Sequence, residues 1–352
     1  MKQYDVIVIG GGQSALACAY YLRRTELDYL VLDNQKTPGG AWLHTWDTLT
    51  LFSPASSSSL PGWLMPPSQD SFPTRAEVIA YLTAYEERYA FNIQRPVEVT
   101  SVLKTAAGFE VEAGEKTYFS KAVIAATGSW QAPFIPAVKG RETFTGTQLH
   151  TVLYKSVQPF VGKKVLVVGG GNSGAQIFAE LSAVTETVWS TLTPPTFLPD
   201  DVDGRVLFDI ATQKYRAQQE GRPFDPSAYS LGNIVMVPAV VAARERGVLR
   251  SKGAFQSLYK TGVVWEDGSA EGFDAIIWCT GFRPATAILK PLQVVQPDGK
   301  IKTAGTKATD IEGLWLVGYG NWTGFASATL IGVGRYARQT VTEVQHFINS
   351  MK

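Results

Sequence analysis

The 352-residue chain is 45% hydrophobic and 18% charged, with a net charge of +1. That is the balance of an ordinary globular protein long enough for two domains, and it excludes a disordered chain. Near-neutral charge without clustered Lys and Arg gives no basis for nucleic-acid binding. No apolar run reaches the roughly 18 residues of a membrane helix, and the first strand starts too early for a signal peptide. Cys18 and Cys279 stand far apart, and no Cys-x-x-Cys is present. A soluble, cytoplasmic protein with buried cysteines and no redox dithiol is therefore expected.

In chain order, residues 4–9 read as an apolar, β-branched strand that runs into Gly10-Gly11-Gly12-Gln13-Ser14-Ala15. A helix over about 12–24 and a strand over 28–33 follow. Gly10 permits the tight turn, Gly12 lets a pyrophosphate approach the backbone, and small Ala15 lets the helix pack on the strand. The unpaired N–H groups and dipole of the helix N-terminus favour that diphosphate. Asp33 closes the second strand, where a carboxylate bonds the ribose hydroxyls of a dinucleotide and repels a 2′-phosphate; the site suits FAD or NAD.

Pro38-Gly39-Gly40-Ala41-Trp42 follows closely and could bring backbone against a diphosphate or ring edge, with Gly40 and Trp42 as contacts. Residues 53–73 are rich in Ser and Pro, but Leu60, Trp63 and Met65 make an ordered loop of them rather than a linker. Thr74-Arg75-Ala76-Glu77 is a capping box opening a helix to about Tyr89. Short alternating strands are expected over 97–119, then an apolar strand over 122–126 that ends in Thr127-Gly128.

The glycine turn then recurs. Residues 165–168 lead into Gly169-Gly170-Gly171-Asn172-Ser173-Gly174, with Gly169, Gly171 and Gly174 in the roles of Gly10, Gly12 and Ala15. One such turn is weak; two in strand–turn–helix context indicate two dinucleotide sites. The strand end matching Asp33 is Trp189-Ser190-Thr191-Leu192-Thr193, which has neither carboxylate nor Arg. Ser190, Thr191 and Thr193 are the expected ribose-end contacts, with weak discrimination between NADH and NADPH. Residues 194–259 show no strand repeat, only a helix near 206–219. Strands at 275–279, before Thr280-Gly281, and at 314–317 precede a long final helix. The expected fold is α/β: two Rossmann-like dinucleotide-binding domains, with the second (156–274) inserted in the first (1–155 and 275–352).

One further stretch carries a resemblance. Phe144-Thr145-Gly146-Thr147-Gln148-Leu149-His150-Thr151-Val152-Leu153-Tyr154 matches the Phe-x-Gly-x-x-x-His-x-x-x-Tyr/Phe fingerprint of the class B flavin-containing monooxygenases at every fixed position. The chain resembles that family over nearly its whole length, and most of all the small bacterial members that accept either nicotinamide, including those associated with arsenic-resistance operons. The resemblance implies FAD in the first domain and NADH or NADPH in the inserted one. It implies oxygenation of soft nucleophiles, such as a thioether to its sulfoxide, through a C4a-peroxyflavin, with a small-molecule substrate and O2 as partners. A homodimer is the assembly left open.

The chain departs from the family at Phe52-Ser53, where an Asn beside the flavin is usual; loss of coupling to hydrogen peroxide is the expected consequence. Phe52, Ser53 and Trp322 are the candidate residues around the flavin. Trp42, Phe52 and Trp322 form either an apolar wall at the isoalloxazine or ordinary core aromatics. His44, His150 and His346 are too dispersed for a metal cluster. Ser173 lacks the nucleophile-elbow context, and His150 either serves structure or orients the interdomain linker over the nicotinamide. An NAD(P)H oxidase or flavin-linked reductase that makes hydrogen peroxide is the competing enzyme reading, and a nucleotide-sensing module the non-enzymatic one.

Overall fold

The computed structural model describes residues 2–224 and 232–351. The chain divides into two compact units, Met1–Leu43 with Ser53–Ala132 and Arg283–Lys352, and His44–Phe52 with Pro133–Phe282. Within the first lie β1 (Gln3–Ile9), α1 (Gln13–Leu22), β2 (Tyr29–Leu32), α2 (Arg75–Tyr89), β3 (Ile93–Gln94), β4 (Ser101–Thr105), β5 (Gly108–Ala113) and β6 (Lys116–Ala125). The second holds β7 (Thr147–His150), β8 (Val165–Val168), α3 (Asn172–Leu181), β9 (Thr187–Ser190), α4 (Gly204–Gln219), α5 (Pro238–Glu245), β10 (Phe255–Tyr259), β11 (Gly262–Trp265), β12 (Ala270–Gly272) and β13 (Ala275–Trp278). The chain then completes the first unit with β14 (Thr303–Ala304), β15 (Lys307–Ala308), β16 (Leu314–Leu316) and α6 (Leu330–Ser350).

Strands β16, β6, β1, β2 and β3 form the parallel part of the first sheet. Parallel strands are covered on both faces, so they read as continuous apolar runs; Val6, Ile7 and Val8 of β1 are fully buried. The expected strand over 122–126 is no separate element. It is the second half of β6, whose first half pairs antiparallel with β5 and whose second half lies between β1 and β16. The capping box is present: Thr74 Oγ1 accepts from Glu77 N–H, and the Glu77 carboxylate accepts from Thr74 N–H. The Ser- and Pro-rich loop is anchored on α2 by Tyr81, which accepts from Leu60 N–H and donates to Trp63 O, and by Tyr85, which donates to Pro61 O.

The second unit has a four-stranded parallel sheet ordered β7-β13-β8-β9 and a three-stranded antiparallel sheet, β10-β11-β12. Because β13 sits between β7 and β8, the strands at both ends of this segment belong to its core. The division of the chain therefore falls at 132/133 and 282/283, outside the 156–274 window expected from the sequence. Phe144 of the fingerprint is buried with Leu166, Trp265, Ile276 and Trp278. Helix α5 and the three-stranded sheet carried no recognisable period, and residues 225–231 of that stretch lie outside the described residues. Both cysteines are buried, and burial pushes each thiol up to about 12.

Candidate active site

The two glycine turns are built alike. Gly10 has φ +113° and Gly169 φ +130°. A Cβ would lie 2.4 Å from Ala126 O at Gly10 and 2.2 Å from Cys279 O at Gly169, so the fold itself demands glycine at both. At Gly174 a Cβ would come 2.1 Å from Gly169 O, whereas α1 accommodates the methyl of Ala15 in full burial. Gly12 and Gly171 differ from these. They have φ of −82° and −97°, and a Cβ would meet only Gly40 Cα at 3.8 Å in the first case and no atom within 4 Å in the second. Nothing among the described residues requires glycine there. Space left open at the N-terminus of each helix, where N–H groups face outward, fits a diphosphate pressed against the backbone.

Gly40 fits the same picture in the first unit, since its Cβ would fall 2.6 Å from Gly12 Cα and the two turns therefore touch backbone to backbone. Trp42 donates its Nε1–H to Gln13 Oε1 at 3.3 Å, and Gln13 Nε2 donates to Ala328 O at 2.7 Å. In the second unit Asn172, at the position matching Gln13, donates to Asn233 O and accepts from Val235 N–H. Sequence reasoning passed over both amides, although their recurrence one place after the last glycine was a visible signal.

The strand ends diverge. Gly10 N–H bonds Leu32 O, and Gly169 N–H bonds Ser190 O, so Asp33 and Thr191 occupy equivalent places. Asp33 is 2% exposed and lies under the turn, where a Cβ on Gly11 would reach within 2.1 Å of its Oδ2. Burial pushes its carboxyl above the usual range, against the lowering effects of Gln35 N–H and the Arg95 guanidinium. Thr191 instead shares a hydrogen bond with Ser251 Oγ at 2.6 Å and donates to Thr193 O at 2.8 Å. Ser190 donates to Gly253 O at 2.7 Å. The hydroxyls of Ser190 and Thr191 are thus satisfied within the protein, while Thr193 is exposed and Leu192 is 92% exposed.

Thr127 serves a local network. Its N–H donates to Tyr319 Oη at 3.2 Å, the Tyr319 hydroxyl bonds back to Thr127 Oγ1 at 2.7 Å, and Oγ1 donates to Ala285 O. Burial pushes the Tyr319 phenol up to about 12. Gly128 has φ +63° with no atom near its missing Cβ, so it carries the turn and leaves open space.

Of the candidate flavin-environment residues, Phe52 belongs to the second unit, while Ser53, Trp42 and Trp322 belong to the first. Phe52 packs on Phe208 at 6.0 Å, and its carbonyl accepts from Gly204 N–H at 2.7 Å. Ser53 is buried and bonded to Ser58 Oγ at 2.7 Å; since Ser58 donates to Pro54 O, the Ser53 proton points inward at Ser58. Trp322 packs on Tyr319 at 5.5 Å and against the first unit's core, and its buried Nε1–H has no partner among the described residues.

The fingerprint residues hold the second unit's connections. His150 Nε2 donates to Gly281 O at 2.9 Å, and its Nδ1 accepts from Val152 N–H at 3.2 Å, which defines a neutral tautomer; burial lowers its pKa. Phe134 N–H also bonds Gly281 O, and Thr280 bonds Phe134 O at 2.5 Å, so the entering and leaving chains run as a paired ribbon. Tyr154 donates to Glu180 on α3 at 3.1 Å, and Thr48 and Trp46 bond the same carboxylate, which ties residues 44–52 to this unit. Among the described residues no group of His, Cys, Asp and Glu could hold a metal, and no helix is long and apolar enough to cross a membrane.

Residues 7–197 match the pyridine nucleotide-disulphide oxidoreductase family. The flavin-containing monooxygenase from Stenotrophomonas maltophilia superposes with a TM-score of 0.91 at 47% identity, covering 99% of both chains. The chain belongs to this flavin monooxygenase family. It is accordingly an oxidoreductase, of a family that works with a flavin and a pyridine nucleotide. The uncharacterized oxidoreductase CzcO of Bacillus velezensis is 30% identical over 354 residues, 97% of this chain and 99% of the relative. The bacillithiol disulfide reductase of Bacillus cereus has a TM-score of 0.74 over 97% of this chain and 99% of that one, and at 19% identity shares the fold alone.

Proposed function

We propose that the protein is an FAD-dependent monooxygenase that uses NADH or NADPH and O2 to oxygenate a soft nucleophile, with a small thioether converted to its sulfoxide. The observation that carries this reading is the complete 144–154 fingerprint standing between two glycine turns, each open where a diphosphate would sit. When bound, the flavin supplies hydride acceptance, oxygen activation and delivery of one oxygen atom to sulfur. The first unit holds FAD through the backbone at Gly10, Gly12 and Gly40, the α1 N-terminus, Asp33 on the ribose, and contacts from Ala15, Trp42, Thr127 and Gly128. The second holds NAD(P)H through Gly169, Gly171, Gly174 and the neutral strand end Ser190, Thr191 and Thr193. With Ser190 and Thr191 satisfied internally, the exposed Thr193 is the hydroxyl free to meet a ribose substituent.

Ser53 and Trp322 complete this reading as the flavin's surroundings within the first unit, whereas Phe52 belongs to the second. Because the Ser53 proton is directed at Ser58, it offers no donor to a bound peroxide, and part of the reducing power is expected to leave as hydrogen peroxide. The cysteines are buried with raised pKa values and far apart in sequence, which favours oxygen over a disulfide as the oxidant. The enzyme is expected to be soluble and cytoplasmic.

An aerobic assay measures sulfoxide and hydrogen peroxide against NADH consumed across a panel of thioethers. Sulfoxide should account for a substantial, substrate-dependent share, with peroxide as the remainder. Peroxide accounting for all the NADH with every thioether would leave the oxidase reading in its place.

A further inference from the structure

The acid at the end of β2 does not stand alone. Arg95, one residue beyond β3, places Nε and Nη2 each 3.0 Å from Asp33 Oδ2. Its other edge is held by Glu86 of α2, with Nη2 3.0 Å from Oε2 and Nη1 on Oε1. All three side chains are largely buried, Asp33 at 3% exposure, Arg95 at 13% and Glu86 at 15%. Oδ1 of Asp33 accepts Gln35 N–H at 3.2 Å. The guanidinium thus holds one carboxylate oxygen through two nitrogens, and the other oxygen accepts a backbone N–H.

We propose that Arg95 is a positioning residue for the adenosine half of FAD, fixing Asp33 ionised and in one rotamer so that its carboxylate meets the ribose hydroxyls preformed. This rests on the placement of FAD in the first unit. A carboxylate buried to this degree loses its charge unless a cation and hydrogen bonds replace water. Arg95 does so with a planar fork that Lys reproduces in charge but not in shape. Glu86 stops the fork from rotating away. Two carboxylates against one guanidinium leave the cluster with a net negative charge, so it still repels a 2′-phosphate. The matching position of the second unit has Thr191 with Ser251, a neutral pair. The charged clamp is therefore a property of the first site and not of the fold.

The test measures dissociation of FAD from the holoprotein by recovery of flavin fluorescence on dilution, for wild type, Asp33→Asn, Arg95→Gln, Arg95→Lys and the Asp33→Asn/Arg95→Gln double variant. FMN, which lacks the adenosine half, is titrated in parallel. Asp33→Asn and Arg95→Gln should each weaken FAD by about ten- to hundredfold, the scale of a charge-assisted hydrogen bond. The double variant should be little worse than either single one, Arg95→Lys should recover part of the loss, and FMN affinity should stay unchanged throughout. FAD held at wild-type strength by Arg95→Gln while Asp33→Asn loses it would overturn the role of Arg95 and leave FAD in the first unit. Wild-type FAD affinity in Asp33→Asn as well would overturn that placement. Equal loss of FAD and FMN in Arg95→Gln would reduce Arg95 to a structural ion pair.

Discussion

The two glycine turns share a backbone and differ at the ends of their second strands. In the first, Gly11 lets a buried carboxylate slide under the turn, with a cation behind it. In the second, a Cβ on Gly170 would meet the methyl of Thr191 at 3.4 Å, an ordinary contact, and two hydroxyls bond one another. The turn supplies what any dinucleotide needs, open backbone and a helix N-terminus. The strand end decides which nucleotide is read, because that is where charge can be added or left out at no cost to the turn.

The largest expected effect comes from closing each turn separately. Gly12→Val should abolish tight FAD binding, a loss on the order of hundredfold or more, because the site leaves room for a side chain only where the diphosphate belongs. Gly171→Val should retain FAD but lose reduction by NADH to a similar degree. Flavin content and stopped-flow flavin bleaching read the two variants. Flavin lost from Gly171→Val and kept by Gly12→Val would reverse the assignment of the units.

A smaller effect sharpens the contrast at the strand ends. Wild type should accept NADH and NADPH with kcat/KM values within about tenfold, roughly 1.4 kcal/mol. Thr191→Asp copies the first site's carboxylate without its cation and should turn the enzyme against NADPH by about ten- to hundredfold. Thr193→Arg, on the exposed turn, should shift preference the other way by a similar factor. A wild-type preference beyond about a thousandfold would show that other residues read the ribose end.

The smallest effect concerns a feature the second unit has without a counterpart in the first. His150 is neutral, with its pKa lowered by burial from the ordinary 6.5. Its contribution is complete above that value and declines as pH falls below it, because the unfolded chain takes up the proton first. Protonation would also set Nδ1–H against the Val152 N–H it now accepts from. Lowering pH through this window should reduce the unfolding temperature by roughly 1–3 °C more in wild type than in His150→Gln. Parallel melting curves for the two proteins would remove His150 from this account.

What could be read along the chain was what is local. Both glycine turns, the capping box at Thr74 and the acid at the end of β2 are combinations of residues close in sequence, and a linear pattern records them, even where a distant carbonyl such as Ala126 O is what demands the glycine. The fingerprint could be matched in the same way, though its purpose could not. His150 holds a carbonyl 131 residues further on, and Tyr154 meets Glu180 on a helix of the next motif. Strands without a period, as in β10 to β12, left no trace, and the two halves of β6 looked like separate elements because they pair with opposite kinds of neighbour.

By itself the sequence determined two dinucleotide sites in an α/β chain, and the family to which their fingerprint belongs. Only the tertiary structure decided that Asp33 is gripped by Arg95 from 62 residues away, that Thr191 is answered by Ser251 from 60, and that residues 44–52 belong with the second unit. The reason is physical. Turns and caps are satisfied by the chain's own next residues, but a buried charge or hydroxyl must be satisfied by whatever the fold brings beside it. That partner's position in the sequence is arbitrary.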